Sequence, residues 1–188
     1  MRPALRLGTL DASHRARVAA ILRTCGVFRE DEVAIALELF DEAHHAREAP
    51  SAERRAPSAA VSPAAPDYAF LGLFDADESL VAFSCHGPTP GTDRTYDLYW
   101  IAVDPALQGA GGGSALLADV ERTLAGDGAR MLVVETSSRP EYVGTRAFYA
   151  RRGYAEAARV RAFYAADDDR VIFTKRLPGP AAGTEQQP

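Results

Sequence analysis

Apolar and polar residues alternate along the chain with two different spacings, which predict a mixture of helices and strands. A repeat of three or four residues predicts amphipathic helices after Asp11, over 29–46, over 114–125 and around 145–153. Short apolar runs between turn residues predict strands over 5–8, 67–74, 80–87, 95–103, 131–136, 154–164 and 170–177. This order of elements predicts an α/β (α+β) fold with one central mixed sheet and helices on both of its faces.

Two segments lack this patterning. Residues 47–66 are rich in Ala, Pro and Ser with hardly any large apolar side chain, which predicts a mobile insertion. Residues 178–188 have a similar composition and predict a disordered tail. The rest of the chain has a length that suits one core, so we predict a single domain over 1–177.

Composition and charge exclude several classes of function. The net charge is −5 and no basic cluster is present, which argues against a nucleic-acid partner. No apolar run approaches the ~18 residues that span a bilayer, and the start of the chain lacks the apolar core of a signal peptide, so we expect a cytoplasmic protein. Cys25 and Cys85 lie outside any metal-ligand spacing, and we predict no metal site.

Glycines crowd the point where the helix over 114–125 is predicted to begin: Gly109, Gly111, Gly112 and Gly113. Each glycine inside a helix costs about 1 kcal/mol relative to Ala. A helix N-terminus carries unpaired N–H groups and a partial positive charge, so the absence of side chains there would let a phosphate reach those donors. A flexible turn is the alternative interpretation.

Three kinds of phosphate-binding loop compete for this stretch. A Walker loop needs a lysine, and the single lysine of the chain is Lys175, so that loop is excluded. A dinucleotide loop needs a third glycine where Ser114 stands, although Glu135 lies near the position of a ribose-binding acid. The pattern Q-x-x-G-x-G is satisfied by Gln108, Gly111 and Gly113.

Two motifs together resemble the GCN5-related N-acetyltransferase (GNAT) family. The first is the Q-x-x-G-x-G stretch after a strand that ends in Val-Asp-Pro, and the second is TRAFYARRGY at 145–154. The resemblance covers 68–177 and implies a GNAT-like domain with a mixed, mostly antiparallel sheet. It also implies acetyl-CoA as the co-substrate, without a metal.

The resemblance assigns the coenzyme to a gap between the strands over 95–103 and 131–136. Backbone groups of Ile101, Ala102 and Val103 would contact the pantetheine arm. The loop that follows would contact the pyrophosphate through Gln108, Gly109, Ala110, Gly111, Gly112, Gly113 and Ser114.

The resemblance also suggests catalytic residues. Tyr149 is the candidate general acid for the departing thiolate, with a core aromatic as the alternative interpretation. By their positions and not by the resemblance, Glu135 at the end of its strand and Asp97 on the central strand are candidate general bases, and the sequence leaves the choice between them open. Tyr142 stands where the family often has a coenzyme-binding Asn, so its contact with CoA also stays open.

The leading prediction is therefore an acetyl-CoA-dependent N-acetyltransferase that acts on a primary amine of a small molecule or peptide. A non-catalytic acyl-CoA-binding module and a dinucleotide-binding oxidoreductase are the alternatives. We expect no nucleic-acid or membrane partner, and a homodimer is compatible with the sequence.

Overall fold

Seven strands and four helices form the part of the chain that the computed structural model describes, residues 4–48 and 68–178. The helices are α1 (Arg15–Cys25), α2 (Glu30–Glu48), α3 (Gly112–Gly126) and α4 (Val143–Ala150). The strands are β1 (Arg6–Thr9), β2 (Ala69–Phe74), β3 (Leu80–Pro88), β4 (Thr95–Val103), β5 (Met131–Ser137), β6 (Ala155–Ala165) and β7 (Asp168–Arg176).

The strands follow the order β1-β2-β3-β4-β5-β7-β6 in one sheet. The β4–β5 pair is parallel, whereas β1–β2, β2–β3, β5–β7 and β6–β7 are antiparallel. The predicted fold class, a mixed and mostly antiparallel sheet with helices, is confirmed.

The predicted order of elements is found in the structure, with small shifts at the ends. Helix α2 continues to Glu48, two residues into the segment predicted as an insertion, and α3 begins at Gly112 rather than at Ser114. The rest of the predicted insertion and nearly all of the predicted tail lie outside the described residues. No described helix is both long and apolar enough to cross a membrane.

Contacts divide the chain into two compact units. The first contains β1, β2, nearly all of β3, helices α1 and α2, and Trp100–Leu116. The second contains Pro88–Tyr99 and the chain from Leu117 onward. The prediction of a single domain stays a prediction.

The core of the first unit is formed by the apolar stripes of α1 and α2. Val18, Ile21 and Leu22 of α1 are fully buried, as their spacing predicts. Phe40 of α2 is also buried and lies edge-on to Phe70 of β2, with ring centroids 5.0 Å apart. A second apolar cluster packs Leu116, in the first turns of α3, with Leu73, Val81 and Ala82.

In the second unit, α4 covers one face of the β5–β7 sheet. Tyr149 of α4 lies 6.1 Å from Phe173 of β7, measured between ring centroids. Phe173 is opposite Val134, and Ile172 is opposite Glu135. Because successive strand residues point to opposite faces, Glu135 projects from the face opposite to α4.

Candidate functional site

The glycine stretch forms an open turn at the start of α3. Gly109 and Gly111 have φ angles of 81° and 96°, in the left-handed region that favours glycine. A Cβ atom added at either position would meet nothing within 4 Å, so the space beside this backbone is open. Gly112 differs, because its added Cβ would lie 3.1 Å from a methyl group of Leu73.

Asp104 fixes the chain before this turn. Its amide donates to the carbonyl of Val81 at 2.8 Å, and its carboxylate accepts from the amide of Ala106 at 3.0 Å and from Nη2 of Arg17 at 2.6 Å. Arg17 also donates to the carbonyl of Leu80 at 2.8 Å. The bonds from the Ala106 amide and from Arg17 lower the pKa of the Asp104 carboxyl. Together with the bonds to the Val81 and Leu80 carbonyls, they tie the start of the loop to α1 and β3.

Several backbone amides of the turn have no backbone acceptor. Ala110 donates to Leu107 at 3.2 Å, and Ala115 closes the first helical turn on Gly111 at 3.0 Å. Among the residues that the structure describes, no backbone carbonyl accepts from the amides of Gly109, Gly111, Gly112 or Gly113. These donors, at the positive end of a 15-residue helix, suit an anion with several oxygen atoms.

The residues predicted to contact a pantetheine arm lie in β4, before this turn. Ala102 is buried, while Ile101 and Val103 pack against the apolar cluster around Leu116. The thiol of Cys25 donates to the carbonyl of Val103 at 3.4 Å. The Val103 carbonyl therefore already has a partner, which the sequence did not suggest. Gln108 and Ser114 flank the glycines in the same stretch.

Tyr149 is buried in the second unit, among aromatic rings. Its ring lies 5.2 Å from that of Phe148 and 5.4 Å from that of Tyr154, both in edge-on contacts. Burial raises the pKa of Tyr149, although Arg152 has a smaller effect in the opposite direction. The phenol therefore keeps its proton at neutral pH, as a general acid must.

Tyr154 is held by two charged groups. Its hydroxyl donates to Glu121 at 2.9 Å, and Glu121 also accepts from Nζ of Lys175 at 2.6 Å. This cluster fixes one wall of the space around the Tyr149 ring.

Glu135 lies on the opposite face of the sheet and forms an ion pair with Arg170. Its side chain is 37% exposed, so solvent and ligands reach it. Asp97, the other candidate base, lies on the same face, because it is paired with Val133, two residues before Glu135. Asp97 accepts a hydrogen bond from the hydroxyl of Thr89 at 2.7 Å.

The parallel pairing of β4 with β5 is short. It covers Thr95–Leu98 of β4 and Met131–Val134 of β5. Both strands continue past the last pair, β4 to Val103 and β5 to Ser137.

Comparison with known proteins then identifies the family. The family model described as the GNAT acetyltransferase family matches residues 33–154, more than half of the chain. The chain belongs to the GNAT acetyltransferase family. It is therefore an acetyltransferase, as the two sequence motifs predict.

Solved structures agree with this assignment. A GNAT-family protein from Desulfovibrio desulfuricans is 35% identical, with a TM-score of 0.76, over 93% of this chain and 98% of that one. The ribosomal-protein-S18-alanine N-acetyltransferase from Escherichia coli is 18% identical, with a TM-score of 0.68, over 96% and 98% of the two chains.

A third structure, the PaiA N-acetyltransferase from Thermoplasma acidophilum in complex with coenzyme A, is 17% identical. Its TM-score is 0.62, over 92% of this chain and 99% of that one. The two more distant structures support the fold alone. No curated protein matches the sequence.

Two site features were missed by the sequence analysis. Arg170 was part of a predicted strand, and nothing in its local sequence linked it to Glu135. Asp168 is buried and accepts from the hydroxyl of Ser137 at 2.5 Å and from the amide of Ser138 at 3.1 Å. The run of three acids at 167–169 gave no indication of this burial, since Asp is mostly exposed in proteins.

Proposed function

We propose that this GNAT acetyltransferase transfers the acetyl group of acetyl-CoA to a primary amine of a small molecule or peptide. The observation that carries the proposal is the set of glycine amides at the start of α3 that have no backbone acceptor among the described residues. A diphosphate needs several donors that side chains do not obstruct, and the open space at Gly109 and Gly111 meets this need.

The coenzyme would be held by the loop from Gln108 to Ser114 and by the β4 backbone from Ile101 to Val103. Of these, the Val103 carbonyl already accepts from the Cys25 thiol and has one further lone pair to offer. When bound, acetyl-CoA supplies a thioester whose carbonyl carbon is open to attack by an amine.

Glu135 is our choice for the general base. Its side chain is exposed and lies just past the last β4–β5 residue pair, where an ammonium group can approach the carboxylate. Asp97 is the weaker choice, because it lies within the paired part of β4 and β5, whereas Glu135 follows the last pair. Tyr149 would donate its proton to the departing sulfur.

The two catalytic groups lie on opposite faces of the β5–β7 sheet.

Binding of acetyl-CoA to Gly111→Ala tests the coenzyme site. Ala at this left-handed position adds a Cβ to the proposed phosphate cradle, the turn from Gly109 to Gly113, and costs about 1–2 kcal/mol of backbone strain. Gly91→Ala is the matched control, because Gly91 has a φ of 72° with open space around it in a different loop. We expect calorimetry to show lost acetyl-CoA affinity for Gly111→Ala and native affinity for Gly91→Ala.

Equal affinity in both variants would contradict the proposed cradle. Release of CoA thiol in the presence of an amine panel tests the transfer itself. Tight binding without any thiol release would favour the non-catalytic acyl-CoA-binding module instead.

A further inference from the structure

Arg170 lies beside Glu135, the proposed general base, on the same face of the sheet. It follows the β6–β7 turn and is paired across the sheet with Ser137 on one side and Val160 on the other. Ser137 and Glu135 share a face of β5, so the Arg170 side chain projects from the same face as Glu135. Nη2 of Arg170 donates to Oε1 of Glu135, and the two side chains are 28% and 37% exposed.

The guanidinium of Arg170 is only partly satisfied by this contact. Its carbon atom lies 4.8 Å from the centre of the Phe163 ring, which orients the group. Its Nε is buried and has no hydrogen-bond partner among the described residues. The neighbouring acids have partners of their own, since Asp169 pairs with Arg159 and Asp168 accepts from Ser137.

An amine that approaches Glu135 therefore disturbs an existing ion pair. If an ammonium group binds the Glu135 carboxylate, the guanidinium of Arg170 loses its acidic partner. This loss is unfavourable, because the guanidinium is half-buried. A ligand that carries a carboxylate beside its ammonium group replaces both halves of the pair. Arginine presents paired donors that match a carboxylate, which makes it suited to this exchange.

We propose that the acceptor is a zwitterion, an amino acid whose ammonium group is bound by Glu135 and whose carboxylate is bound by Arg170. The inference rests on the proposed transfer to an amine and deepens it. Because Glu135 and Arg170 are in direct contact, the two charges of the ligand are separated by only one or two carbon atoms.

The chemical step balances without a further reagent. Glu135 takes one proton from the ammonium group, and the amine nitrogen forms a bond to the acetyl carbon. The carbon–sulfur bond breaks, and the thiolate takes a proton from Tyr149. The nitrogen gives up a second proton as it becomes an amide, and this proton restores the Tyr149 hydroxyl. Arg170 takes no part in these transfers and is a specificity residue.

The test uses matched acceptors with the full-length protein. Each set contains an α-amino acid, its amide and the amine that lacks the carboxylate, such as phenylalanine, phenylalaninamide and phenethylamine, for a range of side chains. Thiol release gives kcat and KM for each acceptor. Ligand-observed NMR measures acceptor binding in the absence of acetyl-CoA, which gives a readout that does not depend on turnover.

Arg170→Gln is the test variant, Arg170→Lys is the conservative one, and Arg161→Gln is the control on an exposed arginine of β6. We expect Arg170→Gln to raise KM for the amino acid at least tenfold and to lower KM for the amine without a carboxylate, because that amine no longer has to separate Arg170 from Glu135. Arg170→Lys should restore part of the affinity, and Arg161→Gln should behave as the native protein.

Two results would overturn the inference while acetyl-CoA still binds. One is a native preference for amines without a carboxylate, or no binding of any amino acid. The other is an equal effect of Arg170→Gln on all three members of a set. Failure of acetyl-CoA to bind the native protein would instead overturn the proposed function, and the inference with it.

Discussion

Tyr149, the proposed general acid, illustrates how burial changes the acidity of a single residue. Its side chain is 2% exposed and lies among the rings of Phe148, Tyr154 and Phe173. Burial disfavours the phenolate, and the pKa therefore lies above the ordinary value near ~10. The proton is retained at neutral pH and through mildly alkaline pH, so this group should not limit the rate on the alkaline side below about pH 10.

Tyr149→Phe should lower kcat by roughly 100-fold, the scale of a lost general acid, with little change in acetyl-CoA affinity. The reason is that the ring and its packing stay while the proton donor is removed. Tyr154→Phe is the matched control, because it removes the hydroxyl of a neighbouring buried tyrosine. Steady-state kinetics and calorimetry check the result, and equal loss in both variants would argue for a packing role.

The sequence most directly proposes those site residues that belong to a short local motif. Gln108, Gly111 and Gly113 form a local pattern, and Tyr149 sits in another. Arg170 could not be found in this way, because its contact with Glu135 depends on the register that pairs Ser137 with Arg170. Pairing register between distant strands is set by the whole sheet and not by neighbours in sequence.

At the scale of elements, the end of β5 is tied to the start of β7. Asp168 accepts from the Ser137 hydroxyl and the Ser138 amide, and the hydroxyl of Ser138 accepts from the amide of Asp169 at 2.7 Å. The amide of Arg139 donates in turn to the Ser137 hydroxyl at 3.0 Å. The loop that leads to α4 is thereby held against the β6–β7 turn.

Asp168→Ala should destabilise the protein by about 2 kcal/mol, because it leaves buried donors without an acceptor. Asp167→Ala, at the exposed neighbouring acid, should change stability by less than about 0.5 kcal/mol. Denaturant unfolding measures both values, provided that the m-values of the variants equal that of the native protein. A loss of similar size in the two variants would mean that the turn, and not the buried carboxylate, determines stability.

Element positions were largely predictable, since each has a clear apolar spacing. The apolar stripe of α1 is buried as expected, but Ile35 of α2 is 51% exposed although it lies beside buried positions. Strand β6 was also predicted, yet every one of its residues is exposed. Sequence periodicity indicates which residues share a face, but only the sheet order shows that β6 is an edge strand among the strands that the structure describes.

For the whole molecule, one buried histidine links stability to pH. His86 of β3 is 8% exposed, its Nδ1 has no hydrogen-bond partner among the described residues, and burial lowers its pKa to about 4. The unfolded chain binds this proton near pH 6.5, whereas the folded chain does so only near pH 4. Stability is therefore present in full above about pH 6.5 and is lost as the pH falls toward 4.

Because of His86, the free energy of unfolding should fall by about 2 kcal/mol when the pH is lowered from 7 to 5. His86→Gln removes the titrating group, so its stability should fall less over this interval than that of the native protein. His45→Gln, on an exposed histidine, should follow the native curve. Urea unfolding at the two pH values measures the difference, and parallel losses in all three proteins would contradict the assignment.

The single lysine, Lys175, donates to Glu121 at 2.6 Å and lies beside the Tyr154 ring. The ion pair with Glu121 leaves the Lys175 side chain 26% exposed, which limits the approach of a thioester to its amine. A protein that handles an acyl donor thus offers that donor no readily modified lysine of its own. Acetylation of the protein's own lysine side chains by the acyl donor therefore has a single target in these 188 residues.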